Sequence, residues 1–245
     1  VRLSPGLTAA LVVAFALLSE PALAQQLSID LGGAGGESLS LRSVQLLLLI
    51  TVLSILPGLA VMVTCFPFIV TVLSILRQAI GLQQAPPNML IISLAMFLTW
   101  FVMDPVFTEA WVKGIEPMTN GTMEIGPGLQ AAIAPFRAFM ALRVDPETLQ
   151  TLQDLRATAP VAHADAPLSL LVPSFLLSEI QRAFEIGFMI YLPFLIIDLV
   201  VAAILMSMGM MMVPPAVVSL PFKLIFFVVA DGWTLISGAL VRSYF

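Results

Sequence analysis

The chain has 245 residues, of which 60% are hydrophobic and only 10% are charged, with a net charge of −5 and a mean hydropathy of +1.05. Soluble domains carry roughly 25% charged residues, so too few charges are present here to build a water-facing surface, and the apolar side chains must face lipid or other apolar subunits. The acidic balance gives no basic footprint for nucleic acid. A single cysteine, Cys65, excludes an internal disulfide; it sits within an apolar run and reads as a buried, inert thiol.

The first residues read as a cleavable secretory signal over 1–24. Arg2 supplies a short basic region, Gly6 to Leu18 an apolar core shorter than the ~20 residues needed to span, and Ala22 and Ala24 a small-x-small cleavage site after Pro21. The mature N-terminus is then exported. Residues 25–42, with Gly32, Gly33, Gly35 and Gly36, lack apolar periodicity and read as a flexible exported tail.

Ser43 to Leu76 contains no charged residue. As one helix it would reach roughly 50 Å against a hydrocarbon core of about 30 Å, so part of it is expected to pack on protein. Pro57-Gly58 and Pro67 are the expected points of kinking or breakage. Arg77 to Asn88 forms a short connector whose lone basic residue places it in the cytoplasm, and Met89 to Met103 resumes the apolar pattern, closing a first hydrophobic hairpin over 43–108.

The polar part of the chain, 109–169, reads as an exported insertion with its own helices. Asp145-Pro146-Glu147 has the form of a helix cap, a first-turn proline and an acid facing the helix dipole, followed by Leu149, Leu152 and Leu155 on one face. Gly128 to Arg143 is a second candidate helix, and the stretch around His163 reads as a loop.

Residues 170–245 form a second hydrophobic hairpin. Glu179, Arg182 and Glu185 recur at three-residue spacing and suggest a charge ladder. Two apolar segments follow, Ile186 to Met208 and Ala216 to Tyr244, joined by a turn that carries Met210, Met211 and Met212 between Gly209 and Pro214-Pro215. The fold class is thus an all-α integral membrane protein of kinked long hairpins, with about four hydrophobic segments.

No hydrolase, phosphate-binding or metal motif is present in the sequence, and with His163 as the lone histidine neither a multi-histidine metal site nor a histidine triad is supported. No enzymatic activity and no cofactor is expected. Asp198, Lys223 and Asp231 interrupt the last two apolar segments, and ionisable residues in such positions face a bundle interior or an aqueous path. Asp198 lies twelve residues before Met210 and Lys223 twelve after Met211, so an antiparallel hairpin brings them to one depth, roughly 18–20 Å from its tip. A structural ion pair is the default reading; an ion relay and pairing with a neighbouring subunit are the alternatives. Asp231 has no mate in the hairpin and is a candidate intersubunit contact. The methionine triplet is either packing filler or, since methionine is flexible and adaptable, an apolar constriction.

Two stretches resemble the FliP family of flagellar and virulence-type (type III) export gates. The first runs from Leu76 to Asn88 and on to Phe97-Leu98-Thr99. The second includes Ser178-Glu179-Ile180, Ala183 to Phe188, Pro193 to Asp198, Gly209 to Pro215, Leu220-Pro221-Phe222-Lys223 and Asp231-Gly232-Trp233. The resemblance implies several copies assembling with FliQ and FliR proteins, and other export-apparatus membrane proteins, into a helical gate. That gate would lie in the bacterial inner membrane at the basal body, largely displaced from the plain bilayer. Unfolded flagellar subunits would pass through its centre, driven by the proton motive force and a separate ATPase complex. Met210, Met211 and Met212 match the family's pore-sealing methionine loop, and Asp198 and Lys223 match polar positions in the same core. An ion-coupled small-solute transporter using Asp198 and Asp231, a passive membrane scaffold, and an injectisome homologue are the rival readings.

Overall fold

The computed structural model describes residues 36–82, 85–156, 162, 165–210 and 212–245, and every regular element among them is helical. The proposed signal over 1–24, most of the proposed tail, His163 and Met211 lie outside the described residues. In chain order the helices are α1 (Gly36–Met62), α2 (Phe66–Ile80), α3 (Asn88–Ala110), a π-helical turn (Trp111–Ile115), α4 (Glu116–Thr119), α5 (Ile125–Arg143), α6 (Pro146–Leu155), α7 (Leu168–Ser207), α8 (Pro215–Val229) and α9 (Gly232–Arg242). The chain divides into two compact units at Ser54. The described part of the first unit is the beginning of α1, which starts inside the stretch read as a tail. The end of α1 and all the later helices belong to the second unit.

Three stretches are long and apolar enough to cross a membrane: Ser43–Met62, Asn88–Thr119 and Leu168–Ser207. The pair α8 and α9, bent by 61°, makes a fourth if the two helices together form one broken span. The chain is an all-α membrane protein. At 40 residues, α7 is a single helix where the sequence suggests a polar ladder followed by a separate apolar segment. Its length of roughly 60 Å is about twice the hydrocarbon thickness.

The charge-free run does not break at Pro57, which lies inside α1. The chain turns instead at Val63–Cys65, where the Val63 and Thr64 N–H groups donate to the carbonyls of Leu59 and Val61 and the Thr64 hydroxyl also donates to Val61. Pro67 then falls in the first turn of α2, where a missing N–H costs nothing. The result is a 15-residue helix, roughly 22 Å long and too short to span, that is buried in protein. Its side chains Phe68, Ile69, Val72, Leu73, Leu76, Ala79 and Ile80 are fully or almost fully buried, in one core with Ile91, Ala95 and Met103 of α3 and Ala183 and Phe194 of α7. Gly187 of α7 faces Ile75 of α2 so closely that a Cβ there would stand 3.3 Å from the Ile75 Cβ and 2.4 Å from its Cδ1.

A second core joins the polar insertion to the start of α7: Met140 and Val144, Leu149 of α6, and Leu170, Leu171 and Phe175 of α7. Asp145 caps α6, its Oδ2 accepting from the Thr148 N–H at 2.9 Å and from the Thr148 hydroxyl at 2.9 Å. These bonds hold its carboxyl below the usual carboxylate range. Within the insertion, α5 packs against the π-helical turn: Gly114 sits against Ala132 of α5, with no room for a Cβ, which would lie 2.4 Å from the Ala132 nitrogen.

The close crossing at Gly187 generates a prediction. Gly187→Val is expected to destabilise the protein by about 1–3 kcal/mol through overpacking. Gly58→Ala, in α1 where a Cβ meets nothing within 4 Å, is expected to be neutral or slightly stabilising. Thermal unfolding of both variants in mild detergent checks this, and equal melting temperatures would contradict the packing described.

Candidate functional site: the methionine hairpin and its buried charges

The apolar arms α7 and α8 form a hairpin whose turn, Met208–Pro214, is built without polar side chains. Gly209 closes the end of α7 with φ +73°, its N–H donating to Met206 and the next N–H, of Met210, donating back to Leu205 at 2.9 Å. This is a helix C-terminal cap of the type glycine permits, and Pro214 and Pro215 start the return helix. The described methionines at the tip are uncovered by the rest of the chain: Met210 is exposed, Met212 is 97% exposed, and Met206 and Met208 in the preceding turn are exposed as well. Turn positions normally carry residues that bond water or backbone, so four exposed thioethers here present a soft apolar surface.

Toward the base of the hairpin the two charges of the apolar arms meet. Lys223 is only 6% exposed, and its Nζ donates to Asp198 Oδ2 at 2.6 Å and to the Ala79 carbonyl of α2 at 3.1 Å. The other oxygen of Asp198 accepts from the Ser219 hydroxyl at 2.6 Å. Ala79 lies in the last turn of α2, whose carbonyls have no partner within the helix and carry the negative end of its dipole. An ammonium is therefore well placed there, and both carboxylate oxygens of Asp198 are satisfied.

Asp231 stands elsewhere, at the break between α8 and α9. It adopts the left-handed conformation (φ 47°) and its Oδ1 accepts from the Thr234 hydroxyl at 3.1 Å. It contacts neither Asp198 nor Lys223.

The ladder of three charges is not assembled. Glu179 and Arg182 pair at 3.1 Å, while Glu185 is exposed and accepts from Gln181 at 3.2 Å. Each three-residue step falls about 60° short of a full turn, so two steps carry Glu185 off the face that Glu179 occupies. Glu179 is fully buried and is the centre of a different cluster: Arg143 of α5 donates from Nε at 3.0 Å, and the Tyr244 hydroxyl donates to Oε2. The Arg143 guanidinium also lies 4.1 Å from the Tyr244 ring centroid and donates to the Ser243 carbonyl at 2.9 Å. Burial and the Glu179 carboxylate push the Tyr244 pKa upward, so the phenol stays a donor. Burial pushes the neighbouring Cys65 thiol up to about 12, which leaves it unreactive. The sequence reading missed Arg143, Ser219 and Tyr244 because their partners are distant in the chain. No group of metal-ligating side chains occurs among the described residues.

The FliP family profile matches residues 49–240. Flagellar biosynthetic protein FliP of Caulobacter vibrioides is 49% identical over 95% of this chain and 87% of its own length. Its Bacillus subtilis counterpart is 44% identical over 82% and 92%, and that of Aquifex aeolicus 41% identical over 85% and 89%. The chain belongs to the FliP family. It is accordingly a membrane component of flagellar biosynthesis and the export apparatus, and not an enzyme. The FliP profile covers the hairpin, the Asp198–Lys223 contact, Glu179 and Arg143, whereas Ser243 and Tyr244 lie just beyond it.

The Glu179 cluster makes a quantitative prediction. Glu179→Leu leaves Arg143 buried without its counter-charge and is expected to cost about 3–5 kcal/mol. Tyr244→Phe removes one hydrogen bond to a charged group and is expected to cost about 1.5–3 kcal/mol. Denaturant unfolding in detergent followed by circular dichroism measures both; a larger loss for Tyr244→Phe than for Glu179→Leu would contradict the ranking.

Proposed function

We propose that this chain is a pore-lining subunit of the flagellar protein-export gate in the bacterial inner membrane. Several copies assemble there with FliQ and FliR proteins around a path for unfolded flagellar subunits. The observation that carries the reading is the hairpin tip. Flexible, apolar, exposed methionines are held on a short glycine- and proline-bounded turn, at the end of arms anchored by buried charge. Thioether side chains adapt to varied surfaces. A ring of them excludes water and ions by dewetting yet yields to a polypeptide of any sequence. In this reading Met210, Met211 and Met212 close the pore, and the segment 109–169 lies on the exported side.

Exposed apolar side chains along α7 and α8, such as Phe188, Leu199, Phe222 and Ile225, support assembly with other membrane subunits. A flagellar assignment, in preference to the injectisome, is supported by the names of the relatives. Coupled transport of a small solute through Asp198 is disfavoured because both of its oxygens already have partners within the chain.

Replacing Met210 to Met212 by glycine is expected to raise ion leakage through the co-expressed gate several-fold while leaving its assembly intact. Conductance across planar bilayers, with native electrophoresis as the assembly control, reads this. Leakage equal to that of the unaltered gate would contradict the sealing role.

A further inference from the structure

We infer that Asp198 and Lys223 act as positioning residues that couple the methionine tip to the connector following α2. In the gate this makes the state of the tip responsive to whatever engages that connector. The consequence for gating rests on the proposed function; the coupling itself rests on geometry alone.

Three helices meet at one ammonium. Lys223 belongs to α8, its carboxylate partner to α7, and its carbonyl partner to the last turn of α2. Immediately beyond that carbonyl, Gly81 ends α2 in the left-handed conformation (φ 88°), and a Cβ there would stand 3.6 Å from Leu220 Cδ1 and 3.9 Å from Lys223 Nζ. The first residue of the connector therefore lies directly against α8. The connector is tied in turn to the start of α3, because Arg77 donates to the Pro86 carbonyl at 3.5 Å and to the Asn88 side chain. The end of α2 thus carries polar bonds in two directions, through the Ala79 carbonyl to the base of the hairpin and through Arg77 to Pro86 and Asn88.

Above that junction the arms are held differently. Between the clamp and the tip they enclose an open apolar groove lined by Val200, Val201 and Leu205 of α7 and Val218 and Phe222 of α8. Among the described residues no side-chain hydrogen bond joins the arms there beyond Asp198–Ser219 and Asp198–Lys223. A hairpin pinned by directional, buried contacts at one level and lined by non-directional apolar contacts above it pivots at the pin. From Asp198 to Met210 the arm is about 18 Å long, so small changes at the clamp are enlarged at the tip.

A three-way clamp differs from a plain ion pair in what it tolerates. Exchanging the two charges (Asp198→Lys with Lys223→Asp) keeps the pair attractive but sets a carboxylate against the Ala79 carbonyl and the negative end of the α2 dipole. A plain ion pair survives the exchange; the clamp does not.

Hydrogen–deuterium exchange of the assembled complex, monitored over residues 82–88 and 205–214, tests this. Lys223→Met is expected to speed exchange several-fold in both segments together, and the charge exchange is expected to fail to restore either. Loosening confined to the tip, or full restoration by the charge exchange, would overturn the inference. Ser219→Ala, which removes one bond to Asp198 and no charge, is the milder variant should the others fail to assemble. It is expected to shift both segments in the same sense by a smaller factor, and an unchanged connector beside a loosened tip, or no change in either, would overturn the inference. Ion leakage after methionine replacement is independent of this readout, so a failed coupling and a failed seal are distinguishable.

Discussion

Everything in this fold depends on the burial of α2. It is a 15-residue apolar helix, too short to cross a bilayer, and protein covers it along its length. Apolar side chains gain little by leaving lipid for protein, so in a membrane such burial is held by close packing and by interhelical polar contacts. Both are present. Gly187 lets Ile75 approach α7 closely, and each end of α2 is fixed by buried charge. At its N-terminal end Phe68 meets the edge of Tyr244, with ring centroids 5.6 Å apart, beside Arg143 and Glu179. At its C-terminal end Lys223 holds the Ala79 carbonyl and Asp198. These two clusters fix the register of helices whose apolar surfaces alone would slide.

From that core the rest follows. With α2 pinned, α7 extends for roughly 60 Å and α8 returns alongside it, carrying the methionine turn away from the packed region. The outward apolar faces of these helices have no cover among the described residues. A FliP-family subunit made this way completes its burial only with lipid or with other export-apparatus proteins. In the proposed gate the exposed methionine tip stands where several such hairpins converge.

Much of this was legible in the sequence where the signal is local or periodic. Asp145 is recognisable as a cap because the residues it serves follow within three positions. Asp198 and Lys223 are recognisable as neighbours because equal spacing about a turn is a matter of helical rise. The second partner of Lys223 was not legible, since a backbone carbonyl 144 residues away leaves no mark on composition. Nor was the cluster of Arg143, Glu179 and Tyr244, whose members are 36 and 65 residues apart. Proline located the break only approximately: of the two expected points of kinking or breakage, Pro57 sits within α1, and the turn falls at Val63–Cys65, just ahead of Pro67, which is suited to a first turn. Glu185 misled, because three-residue spacing drifts around a helix and only adjacent members of the ladder can meet.

The central claim is that this chain is one part of a multi-subunit gate and is not complete alone. Native mass spectrometry in mild detergent, after co-expression with the FliQ and FliR neighbours, tests it most directly. A stable complex containing several copies of this chain together with both neighbours is the predicted result. A monodisperse single chain that never associates with them would contradict the account.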